Sequence, residues 1–394
     1  MLDHRKNTGN GQAVNYIGSK YSLLDTIATV ISEQLPARGR ALDLFSGTST
    51  VAQLLKQMGY QTYANDWQRY AYVTARAYLD FEDYPSFARL LGSETIRPLA
   101  TASMTTLHSA VRRGQSAESN AAFRVLRHLE NLAGCSGSFF EHYCDGGAAG
   151  RMYFSQANGR RIQAIGDQIS DWQQRELITP AEHCWLRASL IESADKVANT
   201  ASIYGAYLKH VKATAQKNLG MIALAPVPSP HPELQHQAFC SDARTVCVDN
   251  DLPRMTLTYI DPPYNHRQYS SNYHILETLA CWDMDQFEPR GKTGLRPASH
   301  QSSPFCSKVQ AAQAFDQLFA VLRSDYLLFS YSSDGILSEQ QLQTLFDAHC
   351  TEVQFLKVDY GRFRADNDGE NRVYAADRVD EYLIFGKQRM LDEQ

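Results

Sequence analysis

The run Asp261-Pro262-Pro263-Tyr264 directly follows an apolar stretch, Met255 to Ile260. Two consecutive prolines fix φ and remove backbone donors, so the turn is stiff and leaves carbonyl groups unpaired. A carboxylate, a free carbonyl and a tyrosine ring held together suit a planar base carrying an exocyclic amino group. Asp261 and the Pro262 carbonyl can accept its two N–H bonds while Tyr264 stacks on its face. The plainer reading of the same four residues is a proline turn with a helix-capping aspartate. A second constellation is Asp43-Leu44-Phe45-Ser46-Gly47-Thr48-Ser49, with Asp66 at the end of the next apolar run. A glycine turn lets the backbone approach a ligand, and an acidic residue ~20 positions on is placed to bind ribose hydroxyls. The segment Gly47-Thr48-Ser49-Thr50-Val51-Ala52 has one of the three glycines of a dinucleotide fingerprint. That suits a nucleoside without pyrophosphate better than a dinucleotide, and the alternative is a structural strand-to-helix turn.

Other side chains suggest no further chemistry. Eight cysteines are scattered without a C-x-x-C pair, and His142, His183, His210 and His274 show no ligand spacing, so no metal site is expected. The cysteine usage suits a reducing, cytoplasmic compartment.

These residues need elements to position them. Ala41 to Phe45 reads as a short strand, Val51 to Met58 as a helix, and Tyr60 to Ala64 as a second strand. Strand, glycine turn, helix and strand within about 30 residues is the signature of a parallel sheet. Further strands are expected at Gln237 to Cys240, Met255 to Ile260 and Tyr326 to Ser330, with Phe355 to Val358 and Glu381 to Phe385 as a closing antiparallel pair. Helices are expected from Leu23 to Val30 and Val309 to Leu322. Between Ala71 and Gly220 helical patterns dominate, which reads as an inserted, mainly helical domain. The boundaries are 1–79 and 236–394 for the sheet domain and 80–235 for the insertion. With 394 residues, 43% hydrophobic and 21% charged, the chain has ordinary globular composition, and no apolar run reaches the ~18 residues of a membrane span. The opening residues, Met1 to Gly11, show no signal peptide. Net charge is −5, yet Thr95 to Ala117 and Pro289 to Phe315 hold basic residues and no acidic ones, so either could hold phosphates or be a solvated loop.

Taken together, these motifs resemble the alpha, Dam-like group of DNA adenine-N6 methyltransferases. In that group an N-terminal S-adenosylmethionine (AdoMet) motif, an F-x-G motif, an inserted target-recognition domain and D-P-P-Y occur in this order. The resemblance covers Asn15 to Lys20, Asp43 to Gly47, Asp66, Asp242, Asp261 to Glu277 and Ser330 to Ser333. It also covers Arg151 to Phe154 and Lys196 to Lys209 within the insertion. It departs at Ser49, where the family usually has a second glycine. The resemblance implies a Rossmann-like class I AdoMet-dependent methyltransferase sheet of α/β class with a mainly helical inserted target-recognition domain. It implies that Tyr16 and Lys20 contact AdoMet, that Phe45 and Gly47 line its pocket and that Asp66 binds the ribose. Asp242 takes the place of the acidic residue near the cofactor adenine, with a turn residue as the alternative. Asp43 falls near the methionine amino group, or is a structural strand-end aspartate.

The expected chemistry is direct methyl transfer to adenine N6 in double-stranded DNA. Asp261, Pro262 and Tyr264 form the catalytic set, and no covalent intermediate is needed. A stacked base cannot reach such a pocket, so the adenine is expected to be flipped. Arg151, Arg160, Arg161, Lys209, Lys212 and Lys217 of the insertion are candidate DNA contacts, although a solvated helix face is the commoner role for each. A partner restriction enzyme is possible and no membrane partner is expected. The alternatives are an RNA adenine-N6 methyltransferase and a non-catalytic DNA-binding protein on the same scaffold. An NAD dehydrogenase fits neither the single-glycine turn nor D-P-P-Y.

Overall fold

A computed structural model describes residues 20–93, 120–248, 252–297, 302–361 and 378–389. Among these, seven strands form one sheet: β1 (Arg40–Asp43), β2 (Gln61–Asp66), β3 (Gln237–Cys240), β4 (Met255–Ile260), β5 (Ser324–Ser332), β6 (Cys350–Gly361) and β7 (Arg378–Gln388). Their order is β3-β2-β1-β4-β5-β7-β6. The first five are parallel to their neighbours, and β7 inserts antiparallel between β5 and β6.

The reason for this layering is legible in the alternation of side chains. Leu42 and Ala41 point to opposite faces of β1, as do Ile260 and Tyr259 of β4, and Phe329 and Leu328 of β5. One face packs on the helices Leu24–Gln34 and Thr50–Gln57. The other packs on Ala243–Val248, Ala311–Val321 and Glu339–His349. A sheet covered on both faces buries its strands along nearly their whole length, as β4 and β5 do, with Thr258, Ser324, Ser330 and Ser332 buried among their apolar residues.

The chain runs outward from β1 to β2 and β3, then crosses back to β4 and continues the other way. The strand order therefore reverses between β1 and β4, and in open α/β sheets ligands bind outside the carboxyl ends of the strands at such a point. The strands carrying Asp43 and Asp261 are these two neighbours, with Asp43 in register with Tyr259.

Two compact units divide the chain. Ile17–Tyr72, Ser229–Ser270 and Ser299–Gln394 make the sheet unit, whereas Val73–Pro228 and Ser271–Ala298 group in a helical unit. The helical unit thus includes a segment beyond the expected 80–235. The cause is packing within that unit. The Trp282 ring sits where a Cβ on Gly166 would fall, and its indole N–H donates to Asp167 at 3.0 Å. The hydroxyls of Tyr143 and Tyr153 donate to the carbonyls of Gly294 and Thr293, each at 3.0 Å. The long helices here are Gln156–Gln174 and Pro180–Lys196, the second opened by a Thr179/Glu182 capping box.

Candidate active site

The turn after β1 is built around two left-handed residues, Gly47 (φ 47°) and Ser49 (φ 60°), before the helix Thr50–Gln57 begins. Glycine takes that conformation freely, whereas serine is strained in it. Asp43 is buried at the end of β1, and its carboxylate accepts from the Ala52 N–H at 3.0 Å. It therefore ties the strand to the first turn of the following helix. Burial pushes its carboxyl well above the usual range, with the nearby Asp261 charge adding to the effect. Phe45 packs edge-on against Phe305, with centroids 5.4 Å apart.

Asp66 ends β2, and its two oxygens accept from the N–H groups of Gly47 (2.9 Å) and Gln68 (2.8 Å). With the Trp67 N–H also acting on it, the carboxylate still has acceptor capacity left for a hydroxyl donor. Burial raises this carboxyl to about 6 against the lowering effect of the backbone N–H groups of Gln68, Gly47 and Trp67. Its neighbour Asn65 donates to the carbonyls of Leu44 (3.2 Å) and Ser241 (3.1 Å), clamping the ends of three strands together. Asp242 lies just beyond β3. It accepts from the Arg244 N–H at 2.9 Å and from its guanidinium at 3.1 Å, a helix cap combined with an ion pair.

D-P-P-Y follows β4. The Lys20 ammonium lies 3.0 Å from Asp261 and 2.8 Å from Glu381, and only 4% of the lysine is exposed. Burial pushes the Asp261 carboxyl up to about 7; Lys20 holds it down and Glu381 adds to the rise. Among the described residues the Pro262 carbonyl accepts no hydrogen bond. The Tyr264 ring meets Tyr331 edge-on at 6.4 Å and has the Lys20 ammonium 5.9 Å from its centroid, while the Tyr264 backbone carbonyl accepts from the Ile336 N–H at 3.0 Å.

Lys20, Asp43, Phe45, Gly47, Asp66, Asp242, Asp261, Pro262 and Tyr264 thus all belong to the sheet unit, at or just beyond the carboxyl ends of β1 to β4 or, for Lys20, against them. Tyr16 lies outside the described residues. Lys20 reaches the D-P-P-Y carboxylate; two of its three ammonium hydrogens are directed at Asp261 and Glu381, which leaves one for a cofactor. Sequence reasoning missed Glu381. The available signal was a carboxylate leading an otherwise apolar strand end, Tyr382-Leu383-Ile384-Phe385.

Several candidate DNA contacts are consumed internally. The Arg151 guanidinium is buried and donates to the carbonyls of His142 (2.9 Å), Gly291 (3.0 Å) and Lys292 (3.2 Å). Arg160 lies over the Phe140 ring and donates to Ser136 at 2.6 Å, Arg161 donates to the Glu130 carbonyl, and the Lys212 ammonium donates to the Thr200 carbonyl at 2.7 Å. Lys209 and Lys217 are exposed. Of the two acid-free basic segments, Thr95 to Ala117 lies outside the described residues. In the other, Arg296 pairs with Asp283 through two bonds of 2.7 Å.

The site fits a nucleoside with a charged side chain. The hydroxyls of Ser46 and Ser49 are buried without a partner among the described residues, in the same turn as Gly47. Spare carboxylate acceptor capacity lies next door on Asp66. Among the described residues no group of three acidic, histidine or cysteine side chains could hold a metal ion, and no helix is long and apolar enough to cross a membrane.

Comparison with known proteins agrees with this geometry. Residues 16–345 match the model for D12 class N6 adenine-specific DNA methyltransferases. The chain is 34% identical to the Type II methyltransferase M.NlaIII of Neisseria lactamica over 379 residues, covering 94% of this chain and 98% of that protein. It is 28% identical to the Type II methyltransferase M.CviAII of Paramecium bursaria Chlorella virus 1, again over 94% of this chain and 98% of that one. Against the Type II methyltransferase M.FokI of Planomicrobium okeanokoites identity is 30% over 94% of this chain, which spans only 52% of that longer protein. The single-glycine turn, the aspartate that ends β2, the D-P-P-Y turn at the strand-order reversal and these matches lead to one assignment: the chain belongs to the D12 class N6 adenine-specific DNA methyltransferase family.

Proposed function

We propose that this protein is the modification methyltransferase of a Type II system, methylating N6 of a flipped adenine at a defined site in duplex DNA, in the cytoplasm. The observation that carries the reading is the D-P-P-Y turn. It holds a carboxylate paired with a buried lysine next to a carbonyl that accepts no hydrogen bond among the described residues, at the point where the strand order reverses.

Methyltransferases of this family use AdoMet, which supplies an electrophilic methyl group on a sulfonium sulfur. Asp66 would hold its ribose hydroxyls, the backbone of the Phe45 to Ser49 turn would lie against it, and Lys20, Asp43 and Asp242 line the surrounding strand ends. Adenine N6 is a poor nucleophile because its lone pair is delocalised into the ring. By accepting both N6 hydrogens, Asp261 and the Pro262 carbonyl favour a tetrahedral nitrogen with a localised lone pair. Their negative ends also stabilise the positive charge that N6 gains as the C–S bond breaks and the N–C bond forms. N6 then loses a proton, for which Asp261 is the adjacent acceptor. Tyr264 holds the base by its face.

The helical unit, expected within 80–235, is assigned to target recognition, since the sheet unit already contains the chemistry. The test offers duplex DNA and RNA side by side with labelled AdoMet, using wild type and Asp261→Ala. Label entering DNA adenine with wild type alone supports the reading. Label entering RNA only, none entering either substrate, or an active Asp261→Ala overturns it.

A further inference from the structure

We infer that Glu381 is a positioning residue for methyl transfer, fixing the Lys20 ammonium beside Asp261 and keeping the acceptor pocket net negative. The inference rests on the reading of Asp261 as the acceptor of the N6 hydrogens. Asp261 directly follows β4, and Ser330 and Glu381 lie on the neighbouring strands β5 and β7, where Ser332 is in register with Glu381. Glu381 is 2% exposed. Its Oε1 accepts from the Lys20 ammonium at 2.8 Å and from the Ser330 hydroxyl at 2.7 Å.

A buried carboxylate is not explained by the core. Burying an ion pair commonly stabilises less than packing apolar residues of similar volume, and the next four residues of β7 are apolar. Its effect on the site is explicable. The titratable groups acting with it are Lys20, which it pairs with, and Asp261, whose carboxyl its charge raises; Asp43 also lies close enough to Asp261 for their charges to interact. Two carboxylates share one ammonium, which leaves the ionised cluster at −1. Without Glu381, Lys20 would settle wholly on Asp261, occupying lone pairs that the N6 hydrogens need and making the pair neutral. A net negative pocket stabilises the positive charge arriving on N6, and a neutral one does so less.

The experiment measures kcat, KM for duplex DNA and AdoMet affinity in the full chain from pH 5.5 to 8.5. It compares wild type with Glu381→Gln, Glu381→Asp, Lys20→Met, Lys20→Met/Glu381→Gln and Asp261→Ala. Glu381→Gln should lower kcat about tenfold or more while leaving KM and AdoMet affinity within about twofold, an effect confined to the transition state. Its acidic limb should move to lower pH, because removing the Glu381 charge makes Asp261 easier to ionise. Glu381→Asp keeps the charge and should keep the limb near wild type. In the Lys20→Met background, Glu381→Gln should cause no further loss. A wild-type kcat in Glu381→Gln, or a lowered kcat with an unmoved limb, overturns the inference. If Glu381→Gln does not fold, Ser330→Ala keeps every charge but frees Glu381, and an unchanged kcat there overturns it equally. An active Asp261→Ala sinks the catalytic reading itself, whereas an inactive one beside a normal Glu381→Gln sinks only the role of Glu381.

Discussion

On the proposed mechanism, Asp261 can accept the N6 hydrogens only while it is ionised. Burial raises its carboxyl to about 7, so the acceptor fraction falls as pH drops through that value, by about tenfold per unit well below it. Single-turnover transfer should therefore show an acidic limb near pH 7; a rate that stays flat to pH 5.5 would remove Asp261 from the chemistry. The role proposed for Asp66 is different and lies in binding AdoMet. Replacing it with Ala removes a charged acceptor for two hydroxyls and should weaken AdoMet by about 1.5–3 kcal/mol, roughly tenfold to a hundredfold. Calorimetry showing unchanged affinity would reassign Asp66 to its backbone contacts with Gly47 and Gln68 alone. At this scale D-P-P-Y and Asp66 were readable because their chemistry depends on local sequence. Glu381 was not, because its meaning comes from Lys20 and Ser330, 361 and 51 positions away in the chain.

Among the elements, the turn between β1 and its helix keeps a strain that the sequence signalled. The family's second glycine corresponds to Ser49, and Ser49 adopts φ 60° with a buried, unpartnered hydroxyl. Ser49→Gly relieves a left-handed non-glycine residue and an unsatisfied polar group, against a loss of chain entropy. The balance is a gain of about 1 kcal/mol. A thermal midpoint raised by about 2 °C in the apoprotein would fit a domain of this size, and a lowered one would show that the hydroxyl has a structural partner. The parallel strands were legible because both faces are apolar and their runs are short and bounded. The closing pair was read too short, at 355–358 and 381–385, whereas β6 and β7 span Cys350–Gly361 and Arg378–Gln388. Exposed residues Thr351, Glu352, Gln354 and Lys357 break the apolar pattern of the edge strand, and an irregularity between Thr351 and Gln354 shifts its register. Residues that face water carry little periodic signal, even when their backbones are fully paired.

For the whole molecule, the question is how a chain of net charge −5 holds a polyanion. Cations already committed to internal carbonyls cannot release counterions from DNA, so a residue count overstates the available charge. Arg151 is the clearest case: four backbone carbonyls, those of His142, Pro289, Gly291 and Lys292, surround its guanidinium, and the segment Ser271–Ala298 that supplies three of them groups with the helical unit. The sequence could not separate Arg151 from Lys209, because both are simply basic residues in a helical region. Only the fold shows that one is buried and the other exposed. Lys209 and Lys217 are therefore the better candidates for phosphate contacts. If each neutralises one phosphate, replacing both with Ala should flatten the slope of log K against log salt by about 1.8, at ~0.9 per contact. Binding should weaken by a similar factor on specific and non-specific duplexes, since phosphates carry no sequence information. Arg151→Met should instead lower thermal stability, because it leaves those carbonyls without their donor, and any loss of binding should follow the loss of folded protein. Binding isotherms at several salt concentrations separate the two outcomes. An unchanged slope in the double lysine variant would place the phosphate contacts elsewhere on the chain.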